Sequence, residues 1–218
     1  GDVITLKGIM TAPSNVDGLV LEGLEGAVLN NITTQGHYND VTFRNLTLEK
    51  SNANYQGFQH SSNLRYEGCT LNGVFFLYAT SVFEKCTFNV VGDAYNVWTY
   101  GSTNAVFNKC TFNCDGKAAL IYNEGNNGSE VTFNNCVFDS KGNSYEGKAA
   151  IEIDSSLLKG DKEYVVNINN CTVNGFAEGS VSNDKLFNPK KGDKATIYVN
   201  GLKWSNGGYT DENGKESF

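Results

Sequence analysis

Ser81-Val-Phe-Glu-Lys-Cys-Thr-Phe88, Ala105-Val-Phe-Asn-Lys-Cys-Thr-Phe112 and Val131-Thr-Phe-Asn-Asn-Cys-Val-Phe138 are three copies of one eight-residue phrase. An internal repeat outranks other local signals when a fold class is read from a sequence. Looser copies extend in both directions: Ile4-Thr-Leu-Lys-Gly-Ile-Met-Thr11, Val41-Thr-Phe-Arg-Asn-Leu-Thr-Leu48, Leu64-Arg-Tyr-Glu-Gly-Cys-Thr-Leu71, Val166-Asn-Ile-Asn-Asn-Cys-Thr-Val173 and Ile197-Tyr-Val-Asn-Gly-Leu-Lys-Trp204. The first and third positions are mostly apolar, and so are the sixth and eighth. This is period-2 alternation with one buried face, a strand on either side of a corner. The second corner residue is Gly8, Asn45, Gly68, Lys85, Lys109, Asn135, Asn170 and Gly201 in turn. Gly and Asn enter the left-handed region at least cost, so the column predicts a sharp bend with positive φ; Lys85 and Lys109 fit this less well.

The copies begin at residues 4, 41, 64, 81, 105, 131, 166 and 197. Between them lies a third apolar run: Val74-Phe-Phe-Leu-Tyr-Ala79, Tyr95-Asn-Val-Trp-Thr-Tyr100, Ala118-Ala-Leu-Ile-Tyr122 and Ala149-Ala-Ile-Glu-Ile153. Three strands per period describe a coil with three walls, each strand pairing with its equivalent about 4.8 Å above and below. The fold class predicted is all-β, a single-stranded right-handed parallel β-helix of roughly eight or nine three-walled coils. A β-sandwich does not need one phrase at every coil, and no interval carries an amphipathic helical pattern. The solenoid is expected over residues 1–204, with 205–218 a tail or linker. Leu19-Val-Leu-Glu-Gly-Leu24 and Ala27-Val-Leu-Asn-Asn-Ile32 both match the phrase but start too close together for two coils, so one is expected in the third wall. Residues 1–11 are expected to close the bottom of the column. Ser155 to Tyr164 and Asn174 to Lys194 read as polar excursions.

The strand-corner-strand phrase, the Asn-rich corner and the stacked interior types resemble right-handed parallel β-helix proteins of the pectate-lyase-like superfamily. Phrases such as Phe112-Asn-Cys-Asp-Gly-Lys-Ala118 are similar to β-helix repeat modules of large secreted or surface proteins of gut bacteria. The resemblance covers about residues 4–204. It implies a fold and leaves the activity open, since lyases, hydrolases, esterases, adhesins and inert stalks share it. It implies secretion or surface display by a bacterium, and a glycan or a host protein, immunoglobulin included, as partner of a monomer or of one module in a longer chain.

Composition narrows the function. A net charge of −7 with only two arginines argues against nucleic acid. No apolar run approaches the roughly 18 residues of a spanning helix, so no membrane insertion is expected, and the sequence opens directly in a strand phrase with no signal peptide in it, which is compatible with a removed leader. Cys69, Cys86, Cys110, Cys136 and Cys171 occupy the sixth position, where other copies carry Ile9, Leu46 and Leu202. They read as an interior stack of thiols rather than bridges, because in-register neighbours point the same way and fit the disulfide torsion poorly. Cys110 and Cys114 have CxxxC spacing without a second pair, and His37 and His60 read as isolated surface residues, so no metal site or cofactor is expected.

An enzyme of the polygalacturonase type would carry Asn-Thr-Asp, Asp-Asp, Gly-His-Gly and Arg-Ile-Lys phrases. None is present, and Gly36-His37-Tyr38 is the nearest fragment. A pectate-type lyase would need a base beside clustered calcium-binding carboxylates; Arg44 and Arg65 lie inside repeat phrases instead. The one candidate catalytic pair is Glu152 and Asp154, two apart on one strand and so roughly 7 Å apart on one face. The third-wall runs concentrate aromatic residues. Matching Gly116-Lys-Ala-Ala-Leu120 to Gly147-Lys-Ala-Ala-Ile151 places Leu120 and Tyr122 inside with Ile151 and Ile153. This leaves Tyr95, Val97, Thr99, Ile121, Asn123 and Glu152 as the outward, ligand-binding candidates, a row suited to sugar stacking or a protein partner. A slip of one residue exchanges the faces. The expected function is a noncatalytic binding or adhesion module, with a carbohydrate-active enzyme or a passive spacer as alternatives.

Overall fold

A computed structural model describes residues 1–32, 35–49, 57–92, 94–100, 104–123, 128–140, 149–176, 187–191, 194–205, 208–210 and 216–217. The molecule is a parallel β-helix, with no helix among the described residues. The first-wall sheet holds 12 strands, of which the first nine, from Val3–Leu6 to Ala195–Val199, are parallel. The second wall has 8 strands, from Ile9–Thr11 to Thr172–Asn174. The third wall is a 5-stranded sheet (Phe75–Phe76, Tyr95–Trp98, Lys117–Ile121, Ile151–Asp154, Phe187–Lys191) and, lower down, a 2-stranded one (Asn15–Asp17, His37–Asn39).

The phrase explains this architecture residue by residue. Its third position forms one inward column, Phe43, Tyr66, Phe83, Phe107 and Phe133, each in register with the next. Their rings lie nearly parallel, for example 4.8 Å apart at 5° for Phe83–Phe107 and 4.9 Å at 8° for Phe107–Phe133. That is the strand spacing itself, so backbone pairing and ring stacking share one period. Phe88, Phe112 and Phe138 form the matching second-wall column, and rings of the two columns meet edge-on, as in Phe107–Phe112 at 65°. All these phenylalanines are fully buried.

Every predicted corner residue has positive φ, from Gly8 at 71° to Lys85 and Lys109 at 54° and Gly201 at 79°. From Asn45 to Asn135 the corner N–H continues the ladder upward: Lys85 N donates to the Asn108 carbonyl and Lys109 N to the Asn134 carbonyl, both at 2.8 Å. Stacking therefore imposes the left-handed conformation even where the residue does not favour it. The five phrase cysteines are free thiols, four of them buried. Each Sγ donates to the carbonyl at the third position one rung below, as in Cys69 to Phe43 at 3.4 Å and Cys136 to Phe107 at 3.3 Å. A thiol thus fills the space of a leucine methyl group and also satisfies a corner carbonyl.

Four expectations are corrected. Val20–Gly23 pairs in the first wall and Val28–Asn30 in the second, so neither belongs to the third. The two apparent phrases are one, split by a longer corner in which Ala27 N bonds the Leu24 carbonyl. The third wall of the lowest coils is made by the polar strands Asn15–Asp17 and His37–Asn39. Residues 1–11 do not close the bottom, since Val3, Ile4, Ile9 and Met10 are exposed. Finally, Ile197 to Trp204 is no corner phrase: Asn200 and Gly201 both have positive φ, and Leu202–Ser205 folds back antiparallel on Ala195–Val199. Asn-Gly is the dipeptide of the type I′ hairpin turn, which explains the reversal. Gly208–Thr210 and Glu216–Ser217 extend the same antiparallel edge. The excursion after Asn174 contributes Phe187–Lys191 to the third wall; residues 177–186 and 192–193 of it, and 206–207, 211–215 and 218 of the predicted tail, lie outside the described residues.

Candidate binding face

The outer surface of the third wall is set by its register. Val97 pairs with Ala119 and Ala119 with Ile151, so all three share the inward column. Trp98 pairs with Leu120, Leu120 with Glu152, and Phe76 with Trp98, forming the outward column. The sequence match of Leu120 to Ile151 is therefore off by one. Its cause is local: Ala118 N and Ala119 N both bond the Ala150 carbonyl, at 2.9 and 3.0 Å, so two residues of one rung oppose one of the next. Such a bulge moves every later side chain to the other face.

The outward candidates divide accordingly. Val97 and Ile121 are fully buried in the core cluster. Thr99 is also buried, its Oγ1 accepting from Tyr122 N at 3.0 Å and lying 3.4 Å from the Leu120 carbonyl. Asn123 is buried, its N–H donating to the Tyr164 hydroxyl at 2.7 Å. These four point away from the outer face, and Tyr122, expected inside, belongs to it. Tyr95 and Glu152 are brought together: the Tyr95 hydroxyl donates to Glu152 Oε2 at 2.5 Å. Lys117 Nζ stands 4.5 Å from the Tyr95 ring centroid, over its face, which is cation–π geometry. Glu152 and Lys117 are only 1% and 4% exposed, so an acid and a base are held out of water beside an aromatic ring. Asp154 takes a different environment, its Oδ1 accepting from Ser156 N at 3.1 Å and Ser156 Oγ at 2.5 Å.

Around this cluster lies a continuous aromatic patch. Phe76 meets Trp98 edge-on at 4.7 Å and stacks with Tyr100 at 4.9 Å. Tyr78 meets Tyr100 at 5.5 Å, and Trp98 meets Tyr122 at 5.7 Å and Tyr95 at 6.2 Å. Tyr78, Tyr95, Trp98, Tyr100 and Tyr122 are half-buried and Phe76 is buried. The sequence showed that these rings fall in consecutive coils; which of them pointed out depended on the bulge.

At the corner where this wall begins, a cleft of about 530 Å³ is lined by Asn72, Asn89, Asn113, Val90, Val91 and Asp115, among others. The amides form a ladder: Asn113 Nδ2 donates to Asn89 Oδ1 at 2.8 Å, Asn89 to Asn72 at 2.9 Å, and Asn72 to Glu49 Oε1 at 2.9 Å. Among the described residues no group of three or more His, Cys, Asp or Glu side chains is placed to hold a metal ion. No protein-family model and no curated protein matches the sequence.

Proposed function

We propose that this chain is a noncatalytic glycan-binding module, secreted or displayed on a bacterial surface, and that the outer third wall is its binding face. The supporting observation is the patch of Phe76, Tyr78, Tyr95, Trp98, Tyr100 and Tyr122 over three adjacent rungs. Half-exposed rings side by side on a rigid sheet suit the apolar faces of pyranose rings. The neighbouring cleft has a size ordinary for a ligand site, and its amide ladder supplies donors and acceptors matched to hydroxyl groups. Because equivalent residues repeat at about 4.8 Å, the face favours an extended chain over a compact ligand.

A second reading, a carbohydrate-active enzyme, draws on the burial of the Glu152 carboxylate next to that patch. One experiment separates the readings. Wild type, Tyr100→Ala and Glu152→Gln are tested on a glycan array and for hydrolysis or elimination of the glycans they bind, with circular dichroism to confirm the fold. Tyr100→Ala should weaken binding by about 1–3 kcal/mol, the contribution of one buried ring, while no turnover accompanies wild-type binding. Turnover lost in Glu152→Gln would favour the enzyme. A wild type that binds no glycan but captures a host protein would favour a protein partner, and binding to neither would leave a spacer.

A further inference from the structure

His37 and His60, apart in sequence, meet in the fold. His37 lies on the strand His37–Asn39, in register with Asn15 one rung below. One rung above, His60 N bonds the Gly36 carbonyl at 3.3 Å and Ser62 N the Tyr38 carbonyl at 3.0 Å, which seats His60 directly over His37. The imidazoles stack with centroids 4.7 Å apart and planes 22° from parallel. Both residues are exposed, and among the described residues neither ring has a hydrogen-bond partner. A third-wall strand and the turn above it thus hold the two imidazoles side by side, joined by these backbone hydrogen bonds and the Asn39–Ser62 bridge.

We propose that His37 and His60 form a two-imidazole site for a late first-row divalent cation of the copper(II) or nickel(II) type. Two neutral imidazole nitrogens are the ligands such ions favour, and metal–nitrogen bonds of about 2 Å need only a tilt of the exposed rings to converge. The rigid rungs supply the preorganisation, since the side chains are already neighbours and only ring rotation is lost on binding. Asn15 lies one rung below His37 in the same column, its Nδ2 3.4 Å from Ser14 Oγ. Solvent completes the coordination, so the site is open to an exogenous ligand. The net charge of −7 favours cation approach.

Nickel(II) is the probe, because it is not reduced by the chain's thiols. Isothermal titration of the full chain in a non-coordinating buffer should show one ion per chain. His37→Ala and His60→Ala should each weaken it by about tenfold or more, the scale on which metal sites respond even to loss of indirect ligand support. Absence of saturable 1:1 binding overturns the proposal. So does unchanged affinity in either variant, which would place the ion elsewhere, with the terminal amine of Gly1 the first alternative to block by acetylation.

Discussion

Lys109 sits at φ 54° in a column otherwise occupied largely by Asn and Gly, and its N–H is bonded to the rung above. The left-handed region costs an L-residue about 1–2 kcal/mol, a cost here carried by the stack. Lys109→Gly is therefore expected to stabilise the molecule by about 0.5–1 kcal/mol, the relief being partly offset by the greater chain entropy of glycine. Lys109→Val should destabilise it, since a branched Cβ fits that region worst. Urea midpoints at unchanged slope check both. The same scale explains Cys114, whose thiol is pushed up to about 12, chiefly by burial and then by Asp115 and Asp139. It is a core thiol, in keeping with its place in the apolar cluster. At this scale the corner was legible in the sequence, because φ preference is a property of a residue type. The pairing of His37 with His60 was not, since nothing in the 22 intervening positions records that they occupy neighbouring rungs.

Element by element, side-chain ladders reinforce the backbone ones. On the outer first wall, Asn169 Nδ2 donates to Asn134 Oδ1 and Asn134 Nδ2 to Asn108 Oδ1, both at 2.9 Å, and Asn108 to Glu84 Oε1 at 2.6 Å. Below, the ladder becomes ionic: Glu67 bonds Arg44 at 2.8 Å and Arg65 at 2.6 Å, and the two guanidinium groups, Arg65 first, hold its carboxyl below the usual range. Asn134 is in the middle, so Asn134→Ala breaks two bonds and leaves a donor and an acceptor without partners, whereas Asn169→Ala breaks one. The expected losses are about 1–2 kcal/mol for Asn134→Ala and about half that for Asn169→Ala, read by thermal or urea unfolding. Equal losses would show that water replaces the ladder freely. Strand identity was legible at this scale, because alternation of Phe, Tyr and Leu with polar residues has a fixed period. The outward face of the third wall was not, because the shared Ala150 carbonyl inserts a bulge between two identical Gly-Lys-Ala-Ala segments.

The whole molecule is a column whose two ends differ. At the top, the Asn200–Gly201 turn folds Leu202–Ser205 back along the first wall. At the bottom, Ile9 is 75% exposed, and Val3, Ile4 and Met10 are exposed beside a cleft of about 360 Å³ lined by core-type residues including Leu6, Val16, Leu21 and Leu29. Open strand edges with apolar side chains favour edge pairing. Ile4→Lys with Ile9→Lys is expected to lower concentration-dependent association of this chain in light scattering; unchanged association would locate it on another surface. The sequence by itself determined the period, the corner column, the inward aromatic and thiol stacks and hence the solenoid, because each rests on a preference repeated at every coil. Only the tertiary structure decided which rings face outward on the third wall, that polar strands complete the lowest coils, and that two distant histidines stack. Those features depend on register between rungs, where a single extra residue reverses a face and no local preference counts it.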